Sequence, residues 1–387
     1  MPEYQDTHIS LLQGDALSVL KTMPDESVDM CMTSPPYWGL RDYHADGQIG
    51  LEKTFQEYID HLMQIFDEVK RVIKKTGTCW VNIADSYAGG GTHHGDKNTG
   101  ISKSSTRQSG EWENKPVGIP AKSLIGIPER FALAMTDQLG FIRRNTIIWW
   151  KRNPMPESVK DRFTEDFEYL YMFSKQGKYF FEQQFDKQTE STIERARYGW
   201  AGRTDDGSNG ARTGSSFKRM AETGELIATI PTNGLRNARC VWDIPTESGK
   251  SDHYAAYPEK LCETPILAGC PAAICTKCGK AREKIYETEN MVIKRTDWGA
   301  SAGNRTASSG TMVSPAKRED IGYTDCGCGA SFDPGVVLDP FAGTGTTGAV
   351  SKRLGRKAVL IELSPKYCQI IKKRMQYISI PMKVNIA

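Results

Sequence analysis

The chain has 387 residues, 39% hydrophobic and 25% charged, a balance that fits a soluble globular protein large enough for a full core plus insertions. Its formal net charge of +3 permits a nucleic-acid partner without arguing for one, because a local basic patch matters more than the total. No apolar run approaches the roughly twenty residues that cross a bilayer, and the opening MPEYQDTHIS has no signal-peptide pattern. A cytosolic protein without a membrane partner is therefore expected, with its ten cysteines buried, metal-bound or catalytic rather than paired as disulfides.

Residues 8–13 read as a short strand ending in Gly14-Asp15, followed by a helix over 16–23 and a second strand over 27–33. That strand runs directly into TSPPYWGLRDY at 33–43, where two prolines remove backbone donors and stiffen the exit. Tyr58, Ile59, Leu62, Ile65, Phe66, Val69 and Ile73 form a helical stripe over 55–74, which Gly77 is expected to break before a strand at 78–84. A polar, glycine- and serine-rich stretch at 86–114 reads as a mobile loop. A helix over 127–139 and strands over 145–151 and 168–174 follow. Over 184–239 the pattern dissolves into polar sequence, in which Arg195, Arg197, Arg203, Arg212, Lys218, Arg219, Arg236 and Arg239 interleave with Tyr198, Trp200 and Phe217. After a helix over 257–267 comes an irregular, cysteine-flanked insertion at 272–332. The last unit is the clearest: strand 336–338, loop 339–345, helix 346–354, strand 358–361, helix 365–377. Strands alternating with helices predict a mainly parallel α/β sheet carrying two insertions.

Three groups of residues carry chemistry. In SPPY the prolines can hold a rigid claw, with Ser34 Oγ, the Pro35 carbonyl and the Tyr37 ring facing one pocket around Pro36; Trp38 supports that wall or belongs to the core. In VVLDPFAGTGTTGAVSKRLGRKAVLIEL, Gly343 and Gly345 allow close backbone approach to a ligand, and Glu362 at the end of the next strand is placed to hold a ribose diol. The spacing matches neither the dinucleotide fingerprint nor a phosphate loop, since no lysine follows the glycines. Cys275-x-x-Cys278 and Cys326-x-Cys328, each followed by glycine, read as two knuckles of a structural, tetrahedral zinc site, with Cys262 and Cys270 as spare ligands. A redox pair and plain reduced thiols are the other readings of these cysteines.

DPFAGTGTT resembles the S-adenosylmethionine (AdoMet) motif of amino-group DNA methyltransferases, and TSPPYW is similar to their catalytic (D/N/S)PP(Y/F). The order of the two motifs resembles the β-class permutation of that family. The resemblance covers most of 8–184 and 250–377. It implies a Rossmann-like fold with a mainly parallel, seven-stranded sheet in circularly permuted motif order. It further implies cofactor contacts at Asp339, Phe341, Gly343, Gly345, Thr346 and Glu362, with Asp15 at the adenine. DHYAAYPEKL, similar to a further cofactor motif of the family, adds His253, Tyr254, Pro258 and Lys260.

The implied core is 1–184, 250–271 and 333–387, with a target-recognition region at 185–249 and a zinc-binding insertion at 272–332. Arg195, Arg197, Arg203, Arg212, Lys218 and Arg219 are the expected contacts to double-stranded DNA, where phosphate clamping and base-edge readout need such side chains. The implied activity is methyl transfer to an exocyclic base amine of a flipped base. A serine opening the claw favours cytosine N4 over adenine N6, although serine accepts from either amine. A catalytically silent DNA-binding protein is the reading from another class. A cognate restriction endonuclease is a possible partner, and monomer and homodimer stay open.

Overall fold

The computed structural model describes residues 2–39, 47–88, 118–154, 156–187, 217–219, 226–228, 235–246, 257–289, 291–295, 310–314 and 317–380. The chain divides into two compact units, one made of Met1–Glu182, Cys240–Ala281 and Cys328–Val384, the other chiefly of Gln183–Arg239 and Arg282–Gly327.

The first unit runs β1 (Tyr4–Gln5), β2 (Ile9–Gln13), α1 (Ala16–Leu20), β3 (Val28–Thr33), α2 (Phe55–Val72), β4 (Ile73–Ile83), α3 (Ile127–Asp137), β5 (Ile142–Trp150), β6 (Phe167–Ser174) and β7 (Val241–Asp243). It continues with α4 (Glu259–Gly269), β8 (Ile274–Cys275), β9 (Phe332–Asp333), β10 (Val336–Asp339), α5 (Thr346–Arg353), β11 (Lys357–Glu362) and α6 (Pro365–Gln376). Its main sheet has the order β1-β2-β11-β10-β3-β4-β6-β5-β7. The five strands from β2 to β4 are parallel, and β6 runs antiparallel between β4 and β5. The expected seven-stranded sheet is thus present, flanked by short edge strands β1 and β7.

All six residues of β3 are buried, as a central strand covered on both faces must be. One face packs Cys31, Leu338 and Ile361 against Leu20 of α1, Phe66 of α2 and Phe131 of α3. The other packs Met30, Met32, Val337 and Leu360 against Ile266 of α4, Val350 of α5 and Ile371 of α6. From β10 the chain crosses by α5 to β11, whereas from β3 it crosses by α2 to β4, on the opposite side. The neighbouring strands β3 and β10 therefore form a topological switch point, and a crevice opens at their carboxyl ends.

Gly77 does not break the helix. Helix α2, opened by a capping box at Thr54 and Glu57, ends at Val72 and passes straight into β4. The register slips between Val28↔Ile73 and Met30↔Thr78, and a Cβ on Gly77 would sit 2.5 Å from the Asp29 carbonyl. The glycine thus serves close approach at a bulge within the strand.

In the second unit, Phe185–Lys187 pairs with Leu235–Asn237 and Lys284–Glu289 pairs with Lys317–Tyr323, both antiparallel. A four-stranded sheet orders Gly310–Ser314, Met291–Arg295, Leu226–Ala228 and Phe217–Arg219. The segment expected to be irregular thus contributes strands, and the two insertions share one sheet. Most of the predicted loop at 86–114 lies outside the described residues.

Candidate active site

At the end of β3, Thr33 Oγ1 donates to Asp339 Oδ1 across the switch point at 2.6 Å. The claw follows at once. Tyr58 of α2 donates to the Pro36 carbonyl at 2.8 Å, and Gly39 N donates to the Gly50 carbonyl at 2.8 Å where the loop returns. Trp38 is buried in the core and donates to the Glu52 carbonyl at 3.1 Å, which gives it a packing role. Tyr37 Oη lies 2.6 Å from Glu168 Oε2 of β6 and 3.1 Å from Asn82 Oδ1 of β4, and Ser34 Oγ donates to it at 3.4 Å. Glu168 Oε1 is ion-paired to Lys151 at 2.5 Å. Burial, then the Glu168 charge, pushes the Tyr37 phenol well up, so it keeps its proton.

On the β10 side, Asp339 is fully buried. It accepts from Thr33 Oγ1 and Thr347 Oγ1, both at 2.6 Å, from Phe341 N at 3.1 Å, and from Tyr257 Oη at 3.2 Å. Burial raises its carboxyl pKa, and these four bonds act against the rise. Asp339 therefore ties together β3, β10, α5 and Tyr257 from behind the crevice.

The following turn needs glycine twice. Gly343 has φ 52° and Gly345, at the N-cap of α5, has φ 79°. Gly343 N and Ser364 N each donate to one oxygen of Glu362 at 2.8 Å. Burial nevertheless raises Glu362 to about 7.

One cavity brings the two motifs together. Ser34, Pro35, Pro36 and Tyr37 line it with Asp15, Phe341, Gly343, Thr346 and Glu362. Asp15 is the N-cap of α1 and accepts from Ser18 N at 2.8 Å. Asp339, Gly345, Pro258 and Lys260 do not line it. Pro258 is the buried N-cap of α4, and Lys260 is exposed on that helix. His253, Tyr254, Arg195, Arg197, Arg203 and Arg212 lie outside the described residues, as do the side chains of Lys218 and Arg219 on their strand.

Sequence reasoning missed Tyr257, which lines the cavity and lies 2.5 Å from Thr347 Oγ1; it stands within the quoted DHYAAYPEKL. It also missed Glu168, Asn82 and Lys151, which no local pattern marks.

Elsewhere, the sulfurs of Cys275, Cys278, Cys326 and Cys328 all lie within 4.8 Å of one another. Gly279 N donates to the Cys275 carbonyl at 2.9 Å, and Gly279 and Gly327 take φ 70° and 69°, as tight knuckles require. Four thiolates around one ion at about 2.3 Å stand about 3.8 Å apart, so the donor set fits zinc. Cys262 and Cys270 are buried outside this cluster, their thiols raised by burial.

Comparison with known proteins then identifies the scaffold. A family model described as DNA methylase, for N6 and N4 enzymes, matches residues 28–272 and 330–373. The Type II methyltransferase M.Cfr9I of Citrobacter freundii is 33% identical over 95% of this chain and 87% of its own length. M.SmaI of Serratia marcescens is 31% identical over 94% of this chain and 90% of its own. Among solved structures, the PvuII cytosine-N4-specific DNA methyltransferase shares the fold with TM-score 0.51 at 17% identity, covering 100% of this chain and 90% of that one. With the family match spanning both halves of the crevice, the chain belongs to the amino-group DNA methyltransferases.

Proposed function

We propose that this methyltransferase modifies the exocyclic N4 amine of cytosine at a specific site in duplex DNA, using S-adenosylmethionine and a flipped-out base. The observation that carries the reading is the single cavity lined by both the SPPY claw and the glycine-rich turn with Glu362. When bound, S-adenosylmethionine supplies an electrophilic methyl group on a sulfonium. The residues present suit it: Glu362 offers carboxylate oxygens to a ribose diol, Asp15 faces the adenine, and Phe341, Gly343 and Thr346 border the methionine end. Pro258 and Lys260, with His253 and Tyr254, form the helix-head motif of the resemblance. Asp339 and Gly345 act by shaping the turn.

An exocyclic amine is a poor nucleophile because its lone pair is delocalised into the ring. Ser34 Oγ and the Pro35 carbonyl accept its two hydrogens, drawing the nitrogen toward sp³ geometry and exposing the lone pair for in-line attack. Pro35 and Pro36 hold these acceptors in place before the reaction, which is electrostatic preorganisation. The Tyr37 ring stacks on the extruded base, since chemistry inside the duplex is sterically blocked. Arg195, Arg197, Arg203, Arg212, Lys218 and Arg219 read and clamp the DNA. Cys275, Cys278, Cys326 and Cys328 hold a structural zinc.

Cytosine rather than adenine rests on Ser34, since the fold shared with the PvuII enzyme does not by itself distinguish the bases. Modified-base sequencing of DNA from cells expressing the chain should reveal N4-methylcytosine at one recurrent site. N6-methyladenine at such a site would select the alternative base. Unmodified DNA from cells containing AdoMet-competent protein would select the silent DNA-binding reading.

A further inference from the structure

A serine at the head of the claw differs from an aspartate in one physical respect. Its hydroxyl carries a proton that rotates freely, and a hydroxyl turned toward the target amine presents a donor where an acceptor is needed. The structure gives that proton a destination on the protein itself. Ser34 Oγ donates to Tyr37 Oη at 3.4 Å. Tyr37 has one proton of its own, and its shortest contact is Glu168 Oε2 at 2.6 Å, a carboxylate oxygen. With that proton committed, the Tyr37 oxygen keeps lone pairs with which to accept from Ser34.

The far end of this chain is fixed from two sides. Asn82 Nδ2 donates to the same Glu168 oxygen at 3.0 Å and to the Tyr169 carbonyl at 3.1 Å, which sets the amide's orientation. Lys151 pairs with the other Glu168 oxygen at 2.5 Å and lies 5.0 Å from the centre of the Trp149 ring. Glu168 is only 9% exposed, so its charge is compensated by Lys151 and Asn82 rather than by bulk water. The first link, at 3.4 Å, is weak, but its role is directional: it needs only to decide where a rotating hydroxyl points.

We propose that Glu168 is a positioning residue of the methyl-transfer reaction, acting through Tyr37 to hold the Ser34 hydroxyl as an acceptor toward the target amine. The inference rests on the reading of Ser34 as an acceptor for a base amine. It assigns Tyr37 two separable tasks, a ring that faces the base and a hydroxyl that orients Ser34. It also implies that an aspartate at position 34, which has no proton to direct, makes the Tyr37 hydroxyl dispensable.

The test is a double-mutant cycle in the full-length protein, with AdoMet pre-bound in saturating amount and unmodified PCR-amplified genomic DNA as substrate. Tyr37→Phe keeps the ring and removes the hydroxyl. It should lower the single-turnover rate about tenfold or more while leaving the AdoMet dissociation constant and the DNA KM unchanged. In an S34D background the same change should cost less than about twofold. Equal losses in both backgrounds, or no loss with serine present, would overturn the inference.

Should S34D transfer no methyl, Glu168→Gln decides. Exchanging a charged acceptor for a neutral one of the same size should slow transfer roughly fivefold at unchanged KM, and an unchanged rate would overturn the inference. If the wild-type chain methylates no base amine, the functional reading itself fails. If wild type methylates and the variants do not behave as stated, only this inference fails.

Discussion

At the scale of single residues, Glu362 shows how burial and function meet in one carboxyl group. Its pKa, raised to about 7 by burial despite two backbone donors, stands above the ordinary glutamate value in the unfolded chain. The folded protein therefore holds an extra proton between the two values. The stability from this group is fully present below the unfolded value and is lost as pH rises through about 7. On the proposed ribose role of Glu362, cofactor binding has the opposite sign, because only the ionised carboxylate would accept from both ribose hydroxyls. The AdoMet dissociation constant should fall as pH is raised from about 6 to 8, with proton release on binding, and Glu362→Gln should flatten the profile. Calorimetric titrations in buffers of different ionisation enthalpy measure both; a flat wild-type profile would remove Glu362 from the ribose.

At the scale of elements, the turn from β10 into α5 is tightly constrained backbone beside the cavity. Gly345 sits at φ 79°, and a Cβ there would stand 3.1 Å from both Ile371 and Met375 of α6. Gly345→Ala should cost about 1–2 kcal/mol of unfolding free energy, read by urea denaturation, because strain and overpacking add. An unchanged midpoint would show that the helix start tolerates a side chain.

This turn and the claw were legible in the sequence because each is a strand end and its next few residues, so chemistry and geometry are written contiguously. Glu168, Asn82 and Lys151 were not, because Glu168 and Asn82 reach Tyr37 from β6 and β4, Lys151 reaches Glu168 from the exit of β5, and strand adjacency is a property of topology. Gly77 misled for a related reason: its demand for space comes from the Asp29 carbonyl on the neighbouring strand. The strands at Lys284–Glu289 and Lys317–Tyr323 stayed hidden because polar residues dominate both, leaving no alternating apolar face to read.

At the scale of the whole molecule, the chain combines a sheet whose switch point builds the cavity with insertions outside that sheet. The family match breaks between 272 and 330, and all four cysteines fall in that gap. Protein purified without chelator should contain about one zinc per chain by elemental analysis. Cys278→Ser should lower that content and make the segment between the knuckles protease-sensitive, while AdoMet binding persists because Glu362 and the glycine turn belong to the sheet. Metal-free protein with all four thiols titratable would leave a cluster of reduced cysteines.

The measurement that tests the central claim most directly is the chemical identity of the product. Purified protein is incubated with methyl-labelled AdoMet and unmodified duplex DNA, the DNA is digested to nucleosides, and the label is located by chromatography and mass spectrometry. The account predicts label in N4-methyl-2′-deoxycytidine. Label in N6-methyl-2′-deoxyadenosine, or none in DNA from protein that binds AdoMet, would contradict it.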